Sequence, residues 1–153
     1  MSASREYVKG EFDPNSPKGI VKNFMNALLG YTDTKVYDEN GMDAFFTDDI
    51  ELHLPGTRPD TPWAGSFHGK KELEEFWKIC AEHLDIINHD VQHIIADGDK
   101  VVVIAHEKMA SLVTGRYGEQ IYAWLFQLRG GKIWYWRLFE NTEVIANTFG
   151  KRG

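Results

Sequence analysis

Behind Asn15-Ser16-Pro17, apolar residues recur at three- and four-residue spacing: Ile20, Val21, Phe24, Ala27 and Leu28. That spacing predicts an amphipathic helix, with Ser16 as N-cap, Pro17 in its first turn and an end near Gly30. The segment 31–41 is polar, and Asn40-Gly41 reads as a turn. Residues 42–46 read as a short helical or irregular piece. Over 49–54 the period changes to two. Ile50, Leu52 and Leu54 fall on one side, Glu51 and His53 on the other, which predicts a strand closed by Pro55-Gly56. The stretch 55–69 holds Pro55, Pro59 and Pro62 and reads as a long loop. A second helix is predicted over 70–84, with Leu73, Phe76, Trp77, Cys80 and Leu84 on one face. Period two then returns. Strands are predicted over 89–96, 101–112, 119–128 and 133–140, turning at Asp97-Gly98-Asp99 and Arg129-Gly130-Gly131. A short helix over 142–149 closes at Gly150.

Helices followed by hairpin-linked strands predict an α+β fold, a cone of curved antiparallel sheet wrapped on about three helices. The mouth of such a cone holds ligands. At 153 residues the chain fits one domain, read as 17–150 behind a flexible lead-in of 1–16. Hydrophobic residues at 42% and charged residues at 26% exclude disorder, collagen and coiled coil. A net charge of −6 argues against a nucleic-acid partner, which calls for a basic face. The single cysteine, Cys80, excludes an internal disulfide and reads as a buried inert thiol. No apolar run reaches the ~18 residues of a membrane span. The polar N-terminus is no signal peptide, so a cytoplasmic location and no membrane partner are expected. No metal-ligand spacing and no glycine-rich phosphate loop stand out, so neither metal nor cofactor is expected. Five Trp, six Tyr and nine Phe exceed what a core of this size usually holds, and part of that surface is expected to face an apolar ligand.

Three segments carry a family resemblance: FFTDDIELHLPG at 45–56, WAGSFHGKKELEEFW at 63–77, and 94–150 with its GDKVVV, TGR and GGKI elements. In order and spacing the chain resembles the nuclear transport factor 2-like superfamily, in its SnoaL-like and ketosteroid-isomerase-like branch. That fold hosts isomerases, cyclases, dehydratases, epoxide hydrolases and non-catalytic proteins. The resemblance does not carry their catalytic sets across. The isomerase base corresponds to Leu54, its second acid to Trp124, and its tyrosine falls near Phe24 or Met25. The epoxide-hydrolase aspartates and arginine correspond to Asn141, Lys108 and His106, with Glu51 and His53 at the water-holding positions. The aspartate of SnoaL-type cyclases is Asn141 here, and an amide takes no proton at neutral pH. The run Arg137-Leu138-Phe139-Glu140-Asn141 resembles the last strand of phenazine-biosynthesis A/B-like members.

A set of histidines remains. The resemblance implies that the polar side of the first strand faces the cavity, which makes His53 the candidate acid–base group with Glu51 orienting its ring. His106, mid-strand, is a second candidate, and Glu107 then points outward as a solvated charge. Asn141 would hold a carbonyl, hydroxyl or water. Trp63, His93, Tyr122, Trp124 and Trp136 are candidate substrate contacts; His93 shares its strand side with His89 and Val91 and resembles a scytalone-dehydratase histidine. A homodimer is expected through the outer sheet face, at Val101, Val103, Ile121 and Leu125. The favoured function is a small-molecule enzyme of secondary metabolism performing cyclisation, isomerisation, dehydration or epoxide opening on an apolar polyketide- or terpenoid-like substrate. The alternative is a non-catalytic module that binds an apolar ligand or dimerises.

Overall fold

The computed structural model describes residues 8–34 and 42–150, with backbone alone at 32–34. The expected turn at Asn40-Gly41 and the first seven residues lie outside the described residues. In chain order the elements are α1 (Pro17–Thr34), β1 (Phe46–Leu54), β2 (Gly65–His68), α2 (Gly69–His83), β3 (Leu84–Asp97), β4 (Lys100–Ser111), β5 (Tyr117–Arg129), β6 (Lys132–Phe139) and α3 (Thr142–Phe149). The strands form one curved sheet in the order β2-β1-β6-β5-β4-β3. Its pairings are antiparallel except β1 with β6, which run parallel. The cone is therefore a mixed sheet. A long connection carrying α2 and four strands separates β1 from β6, so no hairpin dictates their relative direction.

Ser16 caps the start of α1 ahead of Pro17: its Oγ accepts the Gly19 N–H at 3.1 Å. The buried face of α1 brings Phe24 edge-on to Phe46, Phe126 and Trp136, at centroid distances of 5.3, 5.7 and 5.2 Å. Part of the lead-in is also packed. Val8 is buried, and its N–H donates to Asn26 Oδ1 at 2.9 Å.

Bulges set which side chains face inward. In β3 the pairing shifts between Ile86 and Asn88 and again between Val91 and His93, leaving Ile87 and Gln92 as extra residues. Each extra residue reverses the alternation that follows it. His89 pairs with Glu107, both inward, while His93 pairs with Ile104 on the outside. A third shift, at Trp134 in β6, turns Trp136 and Leu138 inward. On β4 the inward residues are Val101, Val103, Ala105, Glu107 and Met109. This corrects two expectations: Val101 and Val103 are core residues rather than part of an outer face, and Glu107 points in. The stretch expected as unbroken loop contains β2, whose Phe67 is buried opposite Leu52.

Helix α3 seats on β5 at Gly118. A Cβ there would stand 2.2 Å from Thr148 Oγ1 and 3.1 Å from Val144 Cγ1. Thr148 is held in turn by its own bond to the Val144 carbonyl, 2.8 Å, and by Thr114 Oγ1 donating to its carbonyl, 2.8 Å. Gly118→Ala is expected to destabilise the fold by about 1–3 kcal/mol as α3 is pushed off the sheet. A denaturant midpoint equal to wild type would refute that seating.

Candidate active site

Between α1, α2 and the inner sheet face lies a cavity of about 180 Å³. Trp63, Phe76, Trp77, Trp124 and Trp136 wall it. Three titratable side chains reach it from the sheet: His89 from β3, Glu107 from β4, and Glu140 just past β6. Among the described residues, no lysine or arginine lines it.

These groups form one connected set. Tyr122 Oη and His89 Nε2 are hydrogen-bonded. His89 Nδ1 stands 3.7 Å from Glu107 Oε2, with the two side chains only 5% and 7% exposed. Gln120, directly opposite Glu107 across β4 and β5, donates from Nε2 to Glu107 Oε1 at 2.8 Å and to Glu140 Oε2. Its Oε1 accepts the Asn141 backbone N–H at 2.8 Å. His89 Nδ1 and the indole nitrogens of Trp124 and Trp136 are buried and meet no hydrogen-bond partner.

Burial fixes the protonation of the set. Leaving water disfavours the charged form of each group. It holds His89 neutral, pushing its pKa down to about 4, with the nearby His106 acting in the same direction. It raises both carboxyls above the ordinary range, and Glu140 rises further because Glu107 is a like charge beside it. The hydrogen bonds from Gln120 oppose this by favouring the ionised forms. The cavity therefore pairs a neutral imidazole with carboxyls that keep a proton unusually well, which are the two halves of an acid–base device.

A family model described as a SnoaL-like domain matches residues 25–136. The chain belongs to the SnoaL-like domain family. Solved structures described as NTF2-like share its fold. It is similar to an NTF2-like protein from Burkholderia xenovorans LB400, at 23% identity and TM-score 0.73 over 87% of this chain and 95% of that one. It is also similar to a candidate isomerase from Bacillus subtilis, at 16% identity and TM-score 0.74 over 88% and 96%. A candidate SnoaL-like polyketide cyclase from Mesorhizobium loti follows at 19% identity and TM-score 0.61 over 81% and 98%. At these identities the likeness is one of fold. Comparison with curated proteins finds no match.

Within this SnoaL-like domain the candidates from sequence separate into two groups. Trp63, Trp124 and Trp136 line the cavity, and Tyr122 is tied to it through His89. Glu51, His53 and His106 lie on the opposite sheet face. The polar side of β1 looks outward because Leu52 pairs with the buried Phe67 and Trp136. His53 Nδ1 bonds Ser66 Oγ at 2.8 Å, His68 Nδ1 is 3.9 Å from Glu51 Oε1, and His106 Nε2 is 3.3 Å from Glu119 Oε2. His93 is exposed on that outer face. Asn141 caps α3, its Oδ1 accepting the Val144 N–H at 3.2 Å. The residues that sequence reasoning passed over are His89, Glu107, Gln120 and Glu140. A signal was present for Glu107: it shares its parity with Val101, Val103 and Ala105, an apolar run that belongs inside. Among the described residues, no helix is long and apolar enough to cross a membrane.

Proposed function

We infer that this SnoaL-like domain is an enzyme that moves protons on a compact, uncharged ring compound bearing a carbonyl. The observation carrying this reading is the buried His89, hydrogen-bonded to Tyr122 and set 3.7 Å from Glu107 in an aromatic cavity that Glu140 also lines. In the tautomer with His89 Nε2–H donating to Tyr122, Nδ1 holds a lone pair and is the base. A substrate C–H next to the carbonyl gives its proton to Nδ1, while a Glu107 or Glu140 carboxyl gives one to the carbonyl oxygen. The neutral enol so formed returns its O–H proton to the carboxylate while the imidazolium gives its proton to another carbon, to the oxygen of an attacked carbonyl or to a departing hydroxyl that leaves as water, which covers isomerisation, cyclisation and dehydration. The indole N–H groups of Trp124 and Trp136 are donors for further substrate oxygens.

Size narrows the substrate. A cavity of about 150 Å³ holds benzene, and drug-sized sites begin at about 300 Å³. A volume of about 180 Å³ suits one or two fused rings. Two buried carboxyls on the wall, with no lysine or arginine among its described residues, disfavour anions. A homodimer belongs to the same proposal: Ile95, Ile121 and Phe139 are exposed on the outer face, Ile121 to 61%, and a second copy would cover them.

The test uses 1-indanone and 1-indanecarboxylate. The ketone is expected to quench tryptophan fluorescence saturably and to exchange its α-hydrogens for deuterium in D₂O faster than buffer alone, followed by proton NMR. The carboxylate is expected to bind far more weakly. Saturable binding without exchange would favour the ligand-binding alternative, and equal binding of the carboxylate would overturn the substrate class.

A further inference from the structure

We propose that Gln120 is a positioning residue that steers the acidic proton of the carboxyl pair onto Glu107 Oε2 or Glu140 Oε1. The proposal deepens the acid–base reading and rests on it for the use of that proton, not for its place.

The orientation of the amide is settled by its neighbours. The Asn141 backbone N–H can only donate, so the atom 2.8 Å from it is the Gln120 oxygen. The nitrogen must then face the carboxyls. It has two hydrogens and two recipients, Glu107 Oε1 at 2.8 Å and Glu140 Oε2. A carboxyl oxygen that accepts from an amide is not the one that carries the acidic hydrogen. That hydrogen is displaced to the free oxygen of either group. On Glu107 this is Oε2, the atom 3.7 Å from His89 Nδ1. One amide thus brings two carboxyls close enough to repel, holds one oxygen of each, and turns the protonated oxygen of Glu107 toward the imidazole. Asn141 adds rigidity, since it is also the cap of α3. Among the described residues the wall offers no competing cation: the other titratable groups around the cavity are Tyr122 on β5, Cys80 on α2 and Tyr31 on α1, and His106 lies behind β4 on the outer face.

Titration of the substrate-free protein, labelled with carbon-13 at glutamate side-chain carboxyls and followed by NMR, tests the proposal. Glu107→Gln and Glu140→Gln assign the two signals. In the wild type the pair should lose its protons in two separated steps. Gln120→Met removes both donors at nearly constant volume and should move the pair's deprotonation up by about one pH unit or more, since bonds favouring the ionised forms are lost. A folded Gln120→Met protein with unmoved midpoints overturns the proposal. Glu140→Gln provides a second measurement that leaves Gln120 an acceptor. Glu107 should then titrate at lower pH, because the neighbouring charge is gone; an unchanged Glu107 midpoint would mean that the amide does not couple the pair. Titration needs no turnover. Its failure leaves exchange of 1-indanone standing, and absence of exchange leaves the proton placement standing.

Discussion

His89→Gln is expected to cut turnover about 10²- to 10⁴-fold, the usual contribution of one acid–base group. Glutamine keeps a polar side chain near Tyr122 but has no lone pair basic enough to take a proton. The pH profile should change with it. In the wild type the base is lost as pH falls through the His89 value, which burial has pushed down to about 4. The acid is lost as pH rises through the raised carboxyl values. Activity should therefore follow a bell, with its acid limb below the ordinary histidine range and its alkaline limb above the ordinary carboxylate range. In His89→Gln the residual rate should lose the acid limb and keep the alkaline one. His53→Ala is the contrasting variant, because its ring sits on the outer face with Ser66 and Tyr135. Its rate and profile should match the wild type. If His89→Gln retains activity within about tenfold of wild type while His53→Ala collapses, the cavity is not where the chemistry occurs.

Trp136→Ala is expected to cost about 3–5 kcal/mol of stability, the range for emptying a large aromatic site. The residue is 1% exposed and meets six other rings: Phe24, Phe46, Phe76, Trp77, Trp124 and Phe126 at 5.2 to 6.2 Å. It joins α1, α2, β1 and β5 at one point, so no single element can move in to fill the gap. For a domain of this length the loss should lower the melting temperature by about 10 °C. The same indole forms part of the cavity wall, so ligand binding should weaken as well. Trp136→Phe should recover part of the stability. A melting temperature within about 2 °C of wild type for Trp136→Ala would show that the ring cluster is not the structural hub of the domain.

The frame of the molecule was legible because its signals are local. The Ser16-Pro17 start of α1, the apolar face of α2 and the Gly98 turn all act within a few residues. The site was harder to read because face assignment in a strand depends on every residue before it. Read as unbroken alternation, β3 puts His89 and His93 on one side; the bulge at Gln92 sends His93 out. The bulge at Trp134 likewise settles the last strand, turning Trp136 and Leu138 in toward the cavity that Glu140 lines, while Asn141 caps a helix instead of meeting a substrate. On β1 the alternation was right and the side was wrong. Ile50, Leu52 and Leu54 needed the apolar interior, and the expectation drawn from the resemblance had placed Glu51 and His53 there. Tracking where the apolar residues must go, strand by strand, would have found Glu107 between Ala105 and Met109.

The parallel seam between β1 and β6 also governs how the chain can be made. On the ribosome, β1 and β2 emerge early, yet β1 gains its second neighbour only when residues 132–139 have been synthesised. Until then its open edge faces the surrounding medium, a template for pairing with other chains. Contacts between distant parts of a sequence form slowly, so closing this seam should limit the rate of folding. A chain cut short before β6 would leave β1-β2 and β3-β4-β5 as two separate pieces of sheet, each with a raw edge and with no Trp136 to hold the helices against them.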